Sequence, residues 1–212
     1  MFRPFGIDIF DVGDHIQLMD QQTQQPSAYA DIANVEVINP DLTILKLTNI
    51  VGRIVSGMIV ENLSDQADVL ICNNIIRNNR ARGMLIAAKG KVEISENYFH
   101  SGGAAIQFES DSMRWFECGS VSDVRISNNF FDNCRHGKWG RAVIDINKRP
   151  KTVENFYFHD TIVIRKNRFT QKEAPSVWAD NVKNLIFEEN ESICSFPLEA
   201  EHCFVNGRKT LG

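Results

Sequence analysis

The sequence predicts an all-β protein whose larger part is a parallel β-helix, preceded by a small antiparallel β unit that resembles a partial barrel. Three observations lead to this fold class. A motif of alternating apolar residues that ends in asparagine recurs five times, a turn and a second short apolar run follow most copies, and helical periodicity is hard to find anywhere. The length of 212 residues suits one large β domain with a small companion.

The recurring motif reads apolar, any, apolar, any, any, Asn, as in the stretch VEISEN. Its asparagines are Asn74, Asn97, Asn129, Asn167 and Asn190, so the intervals are 23, 32, 38 and 23 residues. A base period near 23 with longer insertions is typical of a solenoid, and the period of two inside each copy indicates strands. We expect each asparagine to stand at a corner, in a left-handed backbone conformation, and to bond to its copies in the neighbouring coils.

A second strand is predicted after each of four asparagines, at residues 83–86, 105–108, 142–146 and 176–179. Two or three short strands per coil are the pattern of a parallel β-helix, in which every strand pairs with its copy one coil away. One apolar side chain per coil should then enter a continuous interior stack. The candidates are the pairs Ile75-Ile76, Tyr98-Phe99 and Phe130-Phe131, together with Phe169.

Residues 1–60 lack the repeat and alternate around the turn Asn39-Pro40-Asp41, which predicts antiparallel strands. We therefore divide the chain into a small β unit at 1–60, serving as a cap or an insert, and a β-helix domain at 61–212. An uncovered end of a solenoid exposes unpaired strand edges, so we expect either a cap there or self-association through that end.

Composition excludes several classes of function. Hydrophobic residues make up 43% of the chain and the net charge is −4, which argues against a general nucleic-acid surface, and no apolar stretch is long enough to span a membrane. The N-terminal residues do not have the pattern of a secretory signal, so we expect the chain to be intracellular, already processed or a fragment. Five cysteines without CxxC spacing and scattered histidines predict neither a metal site nor a cofactor, and Cys72 and Cys134 read as packing residues.

The second strands point to a row of polar side chains on one outer face, because residues in a β-helix strand alternate between the interior and the outside. If Ile106, Phe108, Ile144 and their copies face inward, two rows face outward. These rows are Ile86, Gln107, Asp145 and Trp178, and beside them Ala88, Glu109, Asn147 and Asp180. Acids, amides and an indole on one face are suited to binding a sugar.

The register places two of these acids at a catalytic spacing. Coils lie about 4.8 Å apart and alternate residues about 6.7 Å apart, so Glu109 and Asp145 should be roughly 8 Å from one another at the backbone. That value falls in the range in which inverting glycosidases fit a water between acid and base. Asp111 is a further candidate at the mouth of the following loop. The alternative is that these acids are ordinary surface charges on a solvated face.

Two aromatic residues are candidates for sugar contacts. Trp115 lies with Glu117 in the long insertion before the strand at Val124, and it either contributes to a site or anchors the loop. Trp178 either stacks on a sugar ring or is a partly buried core residue.

The stretches VENLS, NNRARGMLI, GKVEISENYF and FESDSMRWFECGSVSDVRISNN resemble the C-terminal half of glycoside hydrolase family 110, the bacterial α-1,3-galactosidases. The resemblance covers about residues 50–150 and is weaker beyond them. It implies a right-handed parallel β-helix with small barrel inserts and a metal-independent, inverting hydrolysis by paired carboxylates. Asp111, Glu109 and Glu117 fall in the part that is similar to the acidic loop of the family. Ser110 departs from the expected pattern there, and the members of the family are much longer.

The resemblance implies that a galactose-containing glycan is the substrate. The full-length members are periplasmic or extracellular, which gives no location for this chain. Catalytic candidates are thus Glu109, Asp111 and Asp145; substrate-binding candidates are Gln107, Trp115, Glu117, Asn147, Trp178 and Asp180. A non-catalytic carbohydrate-binding or structural β-helix is the alternative. A polysaccharide lyase would need more calcium-binding aspartates and basic residues on the outer rows than the sequence offers.

Overall fold

The computed structural model describes residues 9–112, 119–147 and 151–210, and this part of the chain contains strands but no α-helix. It divides into two compact units. One consists of residues 9–66 with Asp111 and Ser112, and the other of residues 67–110, 119–147 and 151–210.

The first unit is a four-stranded antiparallel sheet. Its strands are β1 (His15–Met19), β2 (Pro26–Asn39), β3 (Leu42–Gly52) and β4 (Ile59–Asn62). They lie in the order β3-β2-β1-β4, and the inward side chains of β1 and β2, such as Ile16 and Ala30, form a small core of their own. Within the described residues β3 and β4 are the two edges, so the sheet is open rather than closed into a barrel.

The second unit consists of five coils of three strands and a final hairpin. Coil 1 contains β5 (Val69–Cys72), β6 (Ile75–Asn79) and β7 (Met84–Ile86), and coil 2 contains β8 (Lys91–Ser95), β9 (Tyr98–Ser101) and β10 (Ile106–Phe108). Coil 3 contains β11 (Asp123–Ser127), β12 (Phe130–Phe131) and β13 (Ile144–Ile146), and coil 4 contains β14 (His159–Arg165), β15 (Arg168–Phe169) and β16 (Val177–Asp180). Coil 5 contains β17 (Val182–Glu188), β18 (Glu191–Ser192) and β19 (Leu198–Glu201), and the hairpin consists of β20 (Phe204–Val205) and β21 (Arg208–Lys209).

Every strand of a coil pairs in parallel with its copy in the next coil, which produces three sheets. The first strands form sheet I, the second strands form sheet II and the third strands form sheet III. In sheet I the first apolar residue of each motif copy stands in register with the next, in the order Val69, Val92, Val124, Ile162 and Leu185. The predicted parallel β-helix is therefore confirmed.

The predicted asparagine ladder is present at the corner between sheets I and II. Asn74 Nδ2 donates to Asn97 Oδ1 over 3.1 Å, and the same bond joins Asn97 to Asn129 over 3.0 Å, Asn129 to Asn167 over 3.0 Å, and Asn167 to Asn190 over 3.1 Å. Each of these oxygens also accepts the backbone N–H of the preceding asparagine. The ladder thus satisfies polar groups that the corner removes from water.

The left-handed residue at the corner is the one before the ladder asparagine, which corrects the prediction. Positive φ angles occur at Asn73 (56°), Glu96 (57°), Asn128 (57°), Lys166 (57°) and Glu189 (54°). The ladder asparagines therefore contribute their side-chain amides and not a left-handed backbone, and Glu or Lys occupies the left-handed position in three of the five coils.

The interior stack follows the second strands. Phe99 and Phe131 are stacked with ring centroids 5.0 Å apart, and Phe131 and Phe169 with centroids 4.7 Å apart, while Ile76 is in register below Phe99. All three rings are buried in the main core. Cys134 is buried beside them and its Sγ contacts the Phe99 carbonyl; burial raises the pKa of this thiol to about 11.

Candidate functional site

The outer face of sheet III carries a row of polar side chains in register. Gln107 of β10 pairs with Asp145 of β13, which pairs with Trp178 of β16, and Trp178 pairs with Glu199 of β19. The residues on either side of them in each strand, such as Ile106 and its copies, belong to the hydrophobic core. The predicted order of Gln107, Asp145 and Trp178 along one outer row is confirmed.

The row begins with a different residue from the one predicted in coil 1. Leu85, and not Ile86, pairs with Gln107. Ile86 pairs with Phe108 and lies in the core, and Ala88 packs against that core, so neither belongs to an outer row.

The second outer row lies two residues further along each strand. Glu109 and Asn147 directly follow the paired residues Phe108 and Ile146, and the Asn147 N–H donates to the Phe108 carbonyl over 2.9 Å. Asp180 is half-buried and pairs with Glu201.

Three of the outward polar side chains are buried, so the alternative of ordinary surface charges on a solvated face is wrong for these residues. Gln107 is 7% exposed, Glu109 is 4% exposed and Asp145 is 3% exposed. The segment between β12 and β13, residues 132–143, accounts for the burial of Asp145, and we call it the coil-3 loop. An added Cβ at Gly140 would lie 3.4 Å from Asp145 Oδ2, so the loop backbone passes directly over this carboxylate.

Arg141 of the coil-3 loop binds Asp145 by three hydrogen bonds. Its Nε and Nη2 donate to Asp145 Oδ1 over 3.0 and 2.8 Å, and its backbone N–H donates to Asp145 Oδ2 over 2.9 Å. A buried carboxylate needs such a partner, since an unpaired charge at this depth would be costly. The guanidinium fixes the orientation of the Asp145 carboxylate on the outer face.

The guanidinium of Arg141 also lies over Trp178, with its central carbon 4.9 Å from the ring centroid. One face of the indole is thus occupied by an arginine and is not open to a sugar ring. Sequence reasoning missed Arg141. In the sequence, Arg141 is a single basic residue four positions before the outward acid Asp145. That spacing indicates an ion pair only once the loop is known to fold back over the strand.

Glu109 is connected to the first row through Gln107. Gln107 Nε2 donates to Glu109 Oε2 over 2.8 Å, and Gln107 stands next to Asp145 in register. Glu109 is two residues beyond Gln107, which agrees with the register assumed for the diagonal to Asp145; the backbone distance of roughly 8 Å stays a prediction. Across the described residues, the Oε1 atom of Gln107 is buried and has no hydrogen-bond partner.

Asp111 is buried, with 3% exposure, and it is grouped with the N-terminal unit rather than with the β-helix. Trp115 and Glu117 lie outside the described residues. No grouping of His, Cys, Asp and Glu suited to a metal ion is found within the ranges that the structure describes. These same ranges hold no helix that is long and apolar enough to cross a membrane.

Comparison with known proteins finds relatives that are named alpha-1,3-galactosidase A or B. The chain is 30% identical over 194 residues to alpha-1,3-galactosidase B of Akkermansia muciniphila, 33% identical over 183 residues to alpha-1,3-galactosidase B of Bacteroides thetaiotaomicron, and 28% identical over 205 residues to alpha-1,3-galactosidase A of Shewanella woodyi. The matches cover 89%, 84% and 91% of this chain but only 24%, 30% and 32% of those proteins. The predicted resemblance to the α-1,3-galactosidases is confirmed, and the chain spans about a quarter to a third of their length.

Residues 66–196 match the family described as "Right handed beta helix region". This range includes most of the five coils and the whole of the asparagine ladder. With the fold and the match in agreement, the chain belongs to the right-handed β-helix family.

Proposed function

We propose that this chain forms part of a glycoside hydrolase that removes terminal α-1,3-linked galactose from glycans with inversion at the anomeric carbon. Two kinds of evidence support the proposal. The relatives named above are α-1,3-galactosidases, and the outer rows of sheet III hold two buried carboxylates on neighbouring coils. The observation that carries the proposal is the register of Gln107 with Asp145, since it supports the expected diagonal between Glu109 and Asp145.

In the proposed reaction one carboxyl of the pair Glu109 and Asp145 donates a proton to the leaving oxygen, while Asp111, which is grouped with the N-terminal unit, stays a catalytic candidate from the sequence. The other carboxyl of the pair accepts a proton from the water that attacks the opposite face of the ring. A backbone diagonal of roughly 8 Å between Glu109 and Asp145 leaves room for that water. Gln107 and Arg141 hold these two carboxylates in place.

The remaining predicted contacts belong to the same proposal. Asn147 and Asp180 would hydrogen-bond sugar hydroxyls from the second outer row, and Trp178 would offer the ring face that Arg141 leaves uncovered. Trp115 and Glu117 stay predictions from the sequence. A galactose-containing glycan is the proposed partner.

The test is the release of galactose from an α-1,3-linked galactose disaccharide by the wild type and by Glu109→Gln, Asp111→Asn and Asp145→Asn. We expect the substitution of an acid or base residue to lower kcat at least a hundredfold. The matched control is Glu199→Gln, which removes an exposed acid of the same outer row, and its kcat should not change. In proton NMR spectra of the wild-type reaction, β-galactose should appear before the α-anomer, since inversion of an α-linkage yields the β-product.

Wild-type activity that none of the three substitutions lowers would refute this assignment of the site. Early release of α-galactose would refute inversion.

A non-catalytic carbohydrate-binding or structural β-helix is the second candidate. The bond of Arg141 to both oxygens of Asp145 favours it, because this carboxylate already has a protein partner. This candidate predicts that the purified chain binds galactosides weakly or not at all, with no release of galactose.

A further inference from the structure

A cavity of about 730 Å³ lies between the coil-3 loop and the turn that follows β15. The loop supplies one wall through Asn133–Lys138, and the turn after β15 supplies the other through Thr170–Ala174. The volume falls in the range that small-molecule sites occupy in proteins. None of the candidate residues of the outer rows of sheet III lines this cavity.

The charged side chains around the cavity have the opposite sign to the chain as a whole. Arg135, Lys138 and Lys172 line it, against the single carboxylate of Glu173, while the whole chain has a net charge of −4. Within the described residues none of the three cations takes part in an ion pair. Exposed lysines elsewhere on the β-helix do have acidic partners, as Lys166 has Glu189 and Lys183 has Asp160.

The backbone that carries these cations is held in an uncommon conformation. In the coil-3 loop φ is positive at Asn133 (45°), Arg135 (65°), Lys138 (60°) and Gly140 (88°). Arg and Lys rarely adopt left-handed angles, and residues in such conformations concentrate at functional sites. The coil-3 loop therefore has a left-handed backbone at Arg135 and Lys138, two of the three cations that line the cavity.

The loop is fixed in this conformation by the coil below it. The Arg135 N–H donates to the carbonyls of Ser101 and Gly103 over 3.0 and 2.9 Å, and the Gly137 N–H donates to the Gly102 carbonyl over 2.7 Å. An added Cβ at Gly103 would lie 1.4 Å from the Ala81 carbonyl oxygen and 3.1 Å from Trp139 Cβ, so only glycine fits between the two coils. The cation-bearing wall is thus anchored before any ligand arrives, which lowers the entropic cost of binding.

We propose that this cavity binds a sulfate or phosphate group, either as a free oxyanion or as an ester on a sugar. Lys138 and Lys172 supply point charges from opposite walls, and the guanidinium of Arg135, whose Nε donates to the Gly140 carbonyl, supplies planar N–H donors. Thr170 also lines the cavity, but its hydroxyl donates to Asp132 Oδ1 over 3.2 Å and is not counted among the donors to the ligand. The proposal does not depend on the proposed hydrolysis, because the two sites share no residue.

The test is a titration of the full chain with inorganic sulfate, galactose 6-sulfate and galactose, followed by backbone-amide NMR at low ionic strength. We expect both sulfate compounds to shift the amides of residues 133–138 and 170–174, and galactose not to shift them. The double variant Lys138→Gln/Lys172→Gln should bind at least tenfold more weakly, because two of the three cations are removed. Tighter binding of galactose 6-sulfate than of sulfate would identify a sugar ester as the ligand, and equal binding would identify the free oxyanion.

The matched control is Lys166→Gln/Lys183→Gln, which also removes two exposed lysines from the β-helix but leaves the cavity intact. Its affinity should equal that of the wild type. Thermal melts of both double variants establish that they are folded, which exposed lysines are expected to permit. The proposal is overturned if neither sulfate compound shifts these amides, if galactose shifts them equally, or if the two double variants lose affinity to the same extent.

Discussion

The side chain of Asn129 connects three successive coils. Its Nδ2 donates to the Ile94 carbonyl of coil 2 over 2.9 Å and to Asn167 Oδ1 of coil 4 over 3.0 Å. Its Oδ1 accepts both the backbone N–H and the Nδ2 of Asn97 over 3.0 Å. Because the residue is 2% exposed, no water can replace these partners.

We expect Asn129→Ala to lower the free energy of unfolding by about 3 kcal/mol, since it removes several bonds and leaves buried donors and an acceptor without partners. Urea denaturation measures this change. Asn74→Ala is the control: Asn74 is exposed and ends the ladder, so its loss should cost about 1 kcal/mol. Equal losses at the two positions would show that burial of the ladder does not matter.

The sequence predicted the ladder residues but only part of the site. Asn129 and its copies were found because their spacing repeats. Gln107, Asp145 and Trp178 were placed on one row because their strands alternate clearly. The contact of Arg141 with Asp145 and the burial of Asp145 depend on the path of the coil-3 loop, and that path is set by long-range bonds such as Arg135 N–H to the Gly103 carbonyl. Spacing along the chain contains no information on such bonds.

At the scale of elements, β12 consists of two phenylalanines that face opposite sides of sheet II. Phe131 is buried between Phe99 and Phe169, with both neighbouring rings stacked within 5.0 Å. Phe130 faces outward, where it meets Tyr98 edge-on and lies under the guanidinium of Arg168. Adjacent residues of one strand therefore permit a direct comparison of interior and exterior packing.

We expect Phe131→Leu to lower the free energy of unfolding by about 2 kcal/mol, because it removes two stacked contacts and leaves a cavity in the core. Phe130→Leu, with the same change in side-chain volume, should cost less than about 1 kcal/mol. Chemical denaturation of the two variants measures both values. A greater loss for Phe130→Leu would contradict the assignment of the interior face.

The strands also show where the sequence could predict strand phase, meaning which residues of a strand face the interior and which face outward. In β10 and β13 a polar residue stands between two apolar ones, as in Ile106-Gln107-Phe108, and the predicted phase was right. In β7 the sequence Met84-Leu85-Ile86 is apolar at all three positions, so nothing in it distinguishes the two faces, and the phase was wrong.

At the scale of the molecule, the β-helix has unequal coils but a uniform stack of strands. Successive ladder asparagines are separated by 23, 32, 38 and 23 residues, yet every pair is joined by the same amide bond. The additional residues of the longer coils lie outside the paired strands, as the coil-3 loop does. In a solenoid each coil is stabilised by its neighbours, so stability should vary along the stack.

We expect hydrogen exchange to be slowest in the central strands β11 and β14 and at least tenfold faster in β5 and β21. A central strand has a hydrogen-bonded neighbour on each side, whereas among the described residues β5 pairs with β8 alone and β21 with β20 alone. Mass spectrometry of peptides from each strand measures these rates. Equal exchange in all coils would indicate instead that the stack opens as a single cooperative unit.

The asparagine ladder also gives the solenoid a polarity. In each of the four bonds between asparagine side chains the N-terminal member donates and the C-terminal member accepts, so the row presents an amide oxygen at Asn74 and has no reversed bond up to Asn190. A further turn could continue the row only in the same head-to-tail sense. Two first coils placed face to face would set oxygen against oxygen, and repulsion between these acceptors would disfavour that arrangement.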